Sequence, residues 1–130
     1  MRPATRSELL TIEAGLGAGF FSGVRRDVPK GERHWFVARR YATGFACLTI
    51  EESRIVGVLC RCWVAPEFRN NGIGEELYRA REALAKEKHL TRIQTVVGYS
   101  QQREAYQKRG FRIEASLPRN RTLMVLDLLE

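Results

Sequence analysis

The run Val64-Ala65-Pro66-Glu67-Phe68-Arg69-Asn70-Asn71-Gly72-Ile73-Gly74 separates an apolar, strand-like stretch from a long segment of helical periodicity. Such a junction commits the chain to strands and helices packed in layers, an α/β fold. Pro66 lacks a backbone N–H and closes off the ladder of the preceding strand. Arg69 offers a planar charged fork, and Gly72 and Gly74 carry no Cβ that would hold a ligand away from the backbone. The unpaired N–H groups at the start of the following helix then point at whatever charge occupies the loop. The segment reads as a cradle for a nucleotide-like anion. The structural alternative is a strand-to-helix turn that uses its glycines only for tightness.

The remaining pattern surrounds this junction with short elements. Thr5-x-x-Glu8 has the form of a capping box ahead of Leu9, Ile12 and Leu16, and the helix it starts is expected to dissolve at Gly15 to Gly19. Those glycines follow a helix, the wrong context for phosphate binding, and suggest a mobile connection into Phe20-Phe21. Strands are expected from about His34 to Tyr41, Phe45 to Glu51 and Arg54 to Val64, joined closely enough for an antiparallel meander. The cradle opens a helix to about Lys88 with Ile73, Leu77, Ala80 and Leu84 as its apolar stripe. Arg92 to Val97 alternates as a strand, and a helix from about Ser100 to Arg109 stops at Gly110. Phe111 to Ala115 and Thr122 to Leu128 close the chain as two strands around Pro118-Arg119-Asn120. This order gives mixed layers rather than a regular doubly wound sheet.

With 130 residues and no linker or repeat, the expectation is one domain over residues 1–130. No apolar stretch approaches membrane-spanning length, since Arg61 interrupts the longest, and no apolar core follows Arg2 to make a secretory signal. Three cysteines, without a Cys-x-x-Cys pair, suit a reducing compartment and point to the cytoplasm. The net charge of +7 favours anionic partners. Its arginines form separate clusters at Arg25-Arg26, Arg39-Arg40 and Arg119/Arg121 rather than one basic arm, so nucleic acid is an alternative partner and not the first.

The spacing Arg-x-x-Gly-x-Gly after Val-x-Pro resembles the acyl-CoA loop of the GNAT superfamily of N-acyltransferases. Ala105-Tyr106-Gln107-Lys108-Arg109-Gly110-Phe111 is similar to a second signature of that family, a short helix carrying a Tyr just before Gly-Phe. The two stand in the family's order, and the resemblance covers most of the chain, weakening before residue 34. It implies a mostly antiparallel mixed sheet, splayed in the middle and flanked by helices, with acetyl-CoA as co-substrate in the gap and no metal. It implies that Arg69, Asn70, Asn71, Gly72, Ile73 and Gly74 hold the pyrophosphate and that backbone groups of Cys62 and Val64 hold the pantetheine arm and the acyl carbonyl. A bulge or splay near Cys62 and Val64 would expose those groups. Tyr106, whose phenol carries a proton, would protonate the leaving thiolate.

Two departures concern the acceptor. The position at which family members often carry Asn holds Tyr99, and the strand Leu59-Cys60-Arg61-Cys62-Trp63-Val64 has no carboxylate to serve as base. Glu51, Glu52 and Asp27 are the nearest carboxylates in the pattern, each equally a turn or surface group, and none is assigned. Cys60 and Cys62 are expected on one strand face with Cys47 on the neighbouring strand, and with His34 they match no common zinc spacing. Glu75 and Glu76 suit a helix start but would repel phosphate, so they are expected to turn outward. The leading reading is an N-acetyltransferase acting on a primary amine, and the resemblance implies an acceptor near Gly15–Asp27 and Pro118–Arg121, the regions that flank the family's acceptor channel. Acetylation of an amine on nucleic acid or a modified base, and a non-catalytic module binding acyl-CoA or nucleic acid, are the alternatives.

Overall fold

The computed structural model describes residues 2–18, 30–38, 43–98 and 100–128. Phe20, Phe21, Arg25-Arg26, Asp27, Arg39-Arg40, Tyr99 and the expected strand end at Tyr41 lie outside the described residues. Along the chain the elements are β1 (Arg2–Pro3), α1 (Arg6–Ala18), β2 (Gly31–Val37), β3 (Gly44–Glu51), β4 (Val56–Val64), a 3-10 turn (Pro66–Phe68), α2 (Ile73–Glu87), β5 (Arg92–Val97), α3 (Ser100–Lys108), β6 (Arg112–Leu117) and β7 (Arg121–Asp127). The strands form a seven-stranded sheet in the order β1-β2-β3-β4-β5-β7-β6. Every neighbouring pair is antiparallel except β4 and β5, which run parallel.

α1 begins at the capping box that the sequence shows. Glu8 N–H donates to Thr5 Oγ1 at 3.2 Å, and Thr5 N–H donates to Glu8 Oε1 at 3.1 Å. Arg2 bonds both Glu8 oxygens, at 2.6 and 2.7 Å, and so ties β1 to the helix. The helix does not dissolve at Gly15 but continues to Ala18. Burial of Ile12 beside Trp35 and Val37 offsets the entropic cost of glycine in a helix. The Arg2 hydrogen bonds, then those of Thr5, hold the Glu8 carboxyl at about 2. Because its folded pKa lies below its unfolded one, this contribution is complete above about pH 4.5 and lost as pH falls toward about 2. Wild type is therefore expected to exceed Glu8→Gln in stability by roughly 0.5 kcal/mol at neutral pH. Denaturant unfolding against pH should show the gap closing on acidification; a gap unchanged at pH 3 would contradict this.

Alternation along β3 divides the core between the two faces of the sheet. Phe45 and Cys47 join Ile12, Trp35 and Val37 on the α1 face. Leu48 and Ile50 join Leu59, Tyr78, Ala85, Ile93 and Met124 on the other. The buried line of α2 is Leu77, Tyr78, Arg81 and Ala85, rotated from the stripe through Ala80 and Leu84 that apolar periodicity suggests. Arg81 causes the difference. It is 2% exposed, its aliphatic stem packs as a hydrophobe, and its guanidinium donates to the carbonyls of Leu77 at 3.2 Å and Cys47 at 3.4 Å.

Candidate functional site: a cleft between parallel strands

The parallel strands part soon after they meet. β4 pairs with β5 at Val56–Arg92, Gly57–Ile93 and Val58–Gln94; beyond that, β4 continues to Val64 and β5 to Val97 without further pairing among the described residues. The carboxyl ends of both strands thus border a crevice, and each leads into a helix: β4 into α2 and β5 into α3. In open α/β sheets this is where ligands bind.

β4 also carries an irregularity in its open half. Phe45 pairs with Trp63 but Cys47 pairs with Cys60, so one extra residue is accommodated opposite Ala46. The bulge breaks the simple alternation that would put Cys60 and Cys62 on one face. Cys60 packs with Trp63 against the α1-side cluster, whereas Cys62 is exposed. Beyond the bulge the backbone direction is fixed by Ala65, whose N–H donates to the Thr43 carbonyl at 2.9 Å and hence toward β3. By the two-residue period Trp63 faces β3 as well, and Val64 turns its backbone groups toward the cleft; Cys62 lies within the bulge, where that period does not hold.

The loop after β4 closes one side of the mouth. Arg69 Nε donates to the Val64 carbonyl at 2.9 Å, tying the guanidinium to the cleft end of β4. Asn70 and Gly72 adopt left-handed backbone, with φ of 65° and 81°. Gly72 caps α2 without a side-chain bond. The first bond of the helix is from Glu76 N–H to the Gly72 carbonyl at 3.0 Å, so the N–H groups of Ile73, Gly74 and Glu75 precede the ladder. A Cβ built on Gly72 or Gly74 would meet nothing within 4 Å. The space over these glycines is open.

The family model of the Acetyltransferase (GNAT) family matches residues 15–111, spanning β4, the loop, both following helices and Phe111. The chain belongs to the GNAT acetyltransferase family. Solved GNAT structures share its fold. A Bacillus cereus acetyltransferase is 22% identical, with 98% of this chain and 96% of that chain covered at a TM-score of 0.64. A Bacillus subtilis acetyltransferase in complex with CoA is 24% identical over 76% of this chain and 78% of its own, with a TM-score of 0.63. N-acetylglutamate synthase from Neisseria gonorrhoeae, complexed with coenzyme A and N-acetyl-glutamate, is 19% identical; 99% of this chain covers 35% of that one at a TM-score of 0.73. No curated protein matches significantly.

In this GNAT domain Tyr106 lies on α3, half-buried in an aromatic cluster. Its ring meets Phe111 at 5.0 Å and 72°, and Tyr78 at 6.3 Å and 76°, both edge-on. The stop expected at Gly110 is present: φ is 101°, and the N–H groups of Arg109 and Phe111 both donate to the Tyr106 carbonyl, at 3.1 and 3.0 Å. Glu75 faces neither solvent alone nor the mouth. Its Oε1 accepts from Arg79 at 2.9 Å and its Oε2 from Arg109 at 2.7 Å. Burial alone would raise its pKa, but hydrogen bonds and charge from Arg109, with help from Arg79, outweigh it and hold the carboxyl below its usual range.

Glu51 and Glu52 stand at the wrong end of the sheet. β3 meets Val64 through Gly44, whereas Glu51 closes the opposite end of that strand beside Gly31. Among the described residues no three His, Cys, Asp or Glu side chains gather closely enough to hold a metal ion. No described helix is long and apolar enough to cross a membrane. Two contributors escape a reading of the sequence: Arg109, whose partner is 34 positions away, and the buried Arg81. The only local sign of the former is an arginine where the short helix ends.

Proposed function

We propose that this GNAT domain transfers an acetyl group from acetyl-CoA to a primary amine. The observation that carries the reading is the cleft itself: parallel strands that part, with the Val64 backbone turned into the gap, a bulge at Cys62, and open space above Gly74 beside N–H groups that precede the helical ladder. The backbone N–H groups of the loop and helix start, from Asn70 to Gly74, suit the pyrophosphate, and Arg69 adds charge. The Cys62 and Val64 backbone suits an amide-bearing arm laid alongside β4 and a carbonyl at its tip. Acetyl-CoA supplies the acyl group already activated as a thioester. The amine nitrogen bonds to the carbonyl carbon, the carbon–sulfur bond breaks with its electron pair leaving on sulfur, and Tyr106 gives the thiolate its hydroxyl proton. Solvent restores the Tyr106 proton and takes the one released by the amine.

The acceptor reading is supported by the rim. β7 pairs Thr122 with Val97, so the turn Pro118–Asn120, with Arg119 and Arg121 around it, stands at the open end of β5. An amine with a nearby negative charge would be steered there, at a rate that falls with added salt. The test is thiol release from acetyl-CoA over a panel of neutral and anionic amines, nucleic acid included, at two salt concentrations. Amine-dependent release, faster for anionic amines and slowed by salt, is expected. Acetyl-CoA binding without release for any amine would replace the enzyme by a binding module, and equal salt-insensitive rates would remove the steering.

A further inference from the structure

Arg109 links three things that lie far apart in sequence. At the C-terminal end of α3, its Nε and Nη2 donate to Glu75 Oε2 at 3.0 and 2.7 Å, reaching the first turn of α2 beside the cradle. Its guanidinium carbon lies 4.3 Å from the centre of the Tyr78 ring and 4.9 Å from that of Tyr106. Phe111 meets both rings edge-on, at 6.0 and 5.0 Å. The tyrosine ring is thus bounded by a cation, a second tyrosine and a phenylalanine, and that cation is anchored to α2.

We infer that Arg109 is a positioning residue: anchored by Glu75, it fixes the Tyr106 ring relative to the pyrophosphate cradle. The physical case rests on rigidity. A planar fork bonded to one carboxylate oxygen loses little further freedom when rings pack on it, and cation–ring attraction restrains the tyrosine in the same geometry. Arg79 holds the other oxygen of Glu75, so the anchor is itself braced on α2. Neutralising Glu75 has a second effect. A carboxylate in the first turn of α2 opposes a phosphate at that helix terminus, and Arg109 with Arg79 compensates its charge.

The inference rests on the reading of Tyr106 as proton donor, and the test separates the two. Acetyl transfer is measured in the pre-steady state for wild type, Arg109→Met, Arg109→Lys, Tyr106→Phe and the double variant Arg109→Met/Tyr106→Phe, with folding checked by thermal unfolding. Arg109→Met should slow the chemical step about tenfold to a hundredfold, as small misplacements of a reacting group do. It should also raise the KM for acetyl-CoA. Arg109→Lys keeps the charge beside Glu75 but not the planar fork; it should restore KM while recovering only part of the rate. In the Tyr106→Phe background, Arg109→Met should no longer affect the chemical step. Equal slowing in both backgrounds would overturn positioning and leave the tyrosine as acid. A Tyr106→Phe variant as fast as wild type would overturn the acid reading, and the positioning role with it. Should Arg109→Met fail to fold, full activity in folded Arg109→Lys would overturn the need for the fork, and a reduced rate at unchanged KM would support it.

Discussion

Gly74→Val is expected to abolish most acetyl-CoA affinity while leaving the domain folded. An added Cβ at Gly74 meets nothing within 4 Å, and the residue lies inside α2 without positive φ, so the protein alone can accept the side chain. Helix propensity does not oppose the change, since valine is a somewhat better helix former than glycine. The branched side chain would stand where a phosphate must approach the backbone. Losing two charge-assisted hydrogen bonds of about 1.5 kcal/mol each corresponds to roughly a hundredfold weaker binding. Titration calorimetry on the folded variant decides the matter, and an unchanged dissociation constant would remove the cradle from the reading. Gly72, equally prominent in the sequence, makes a poorer probe: its φ of 81° would strain any other residue, so lost binding there would be confounded with lost structure.

For Tyr106→Phe the chemical step is expected to slow by about 100- to 10,000-fold, the usual worth of general acid catalysis. The aromatic cluster makes this a clean comparison. Phenylalanine keeps the ring contacts with Phe111 and Tyr78 and the packing on Arg109, losing only the hydroxyl. Stability and acetyl-CoA affinity should therefore barely change, and the loss should appear in kcat wherever chemistry limits turnover. Pre-steady-state measurement with an amine that wild type acetylates guards against slow product release. A Phe variant with an unaltered chemical step would assign the ring to packing and leave the thiolate to be protonated by water.

Much of the cleft's architecture is legible because its signals are local. Pro66 ends a strand, Gly72 and Gly74 open a helix, Gly110 stops one, and the alternation at 92–97 coincides with β5. The features that escape are relations between distant segments. A bulge or splay near Cys62 and Val64 is expected from the family resemblance, but its register is not: nothing in Arg61-Cys62 alone reveals that Cys47 will pair with Cys60 while Phe45 pairs with Trp63. Arg81 reads as a surface residue until β3 provides the Cys47 carbonyl for its head. β1, only two residues long, exists because β2 offers it an edge. Helix α1 outlasts Gly15 because neighbouring strands bury its Ile12. Periodicity reports what a segment prefers, and these four cases depend on what it meets.

The parting of β4 from β5 also works as a gauge. At Val58 and Gln94 the two backbones are at ladder spacing, about 4.8 Å, and beyond them no rung joins the strands among the described residues. The stretch from Leu59 to Val64 measures about 17 Å at strand rise, somewhat less for the bulge. A slender arm entering from the open end is therefore sorted twice, by thickness as the walls converge and by reach against a fixed floor. Anything too stout stops short of the bulge, and anything too short leaves its tip in the wider part. For an acyl-CoA arm laid along β4, such a wedge would select a length and a cross-section before any side chain takes part.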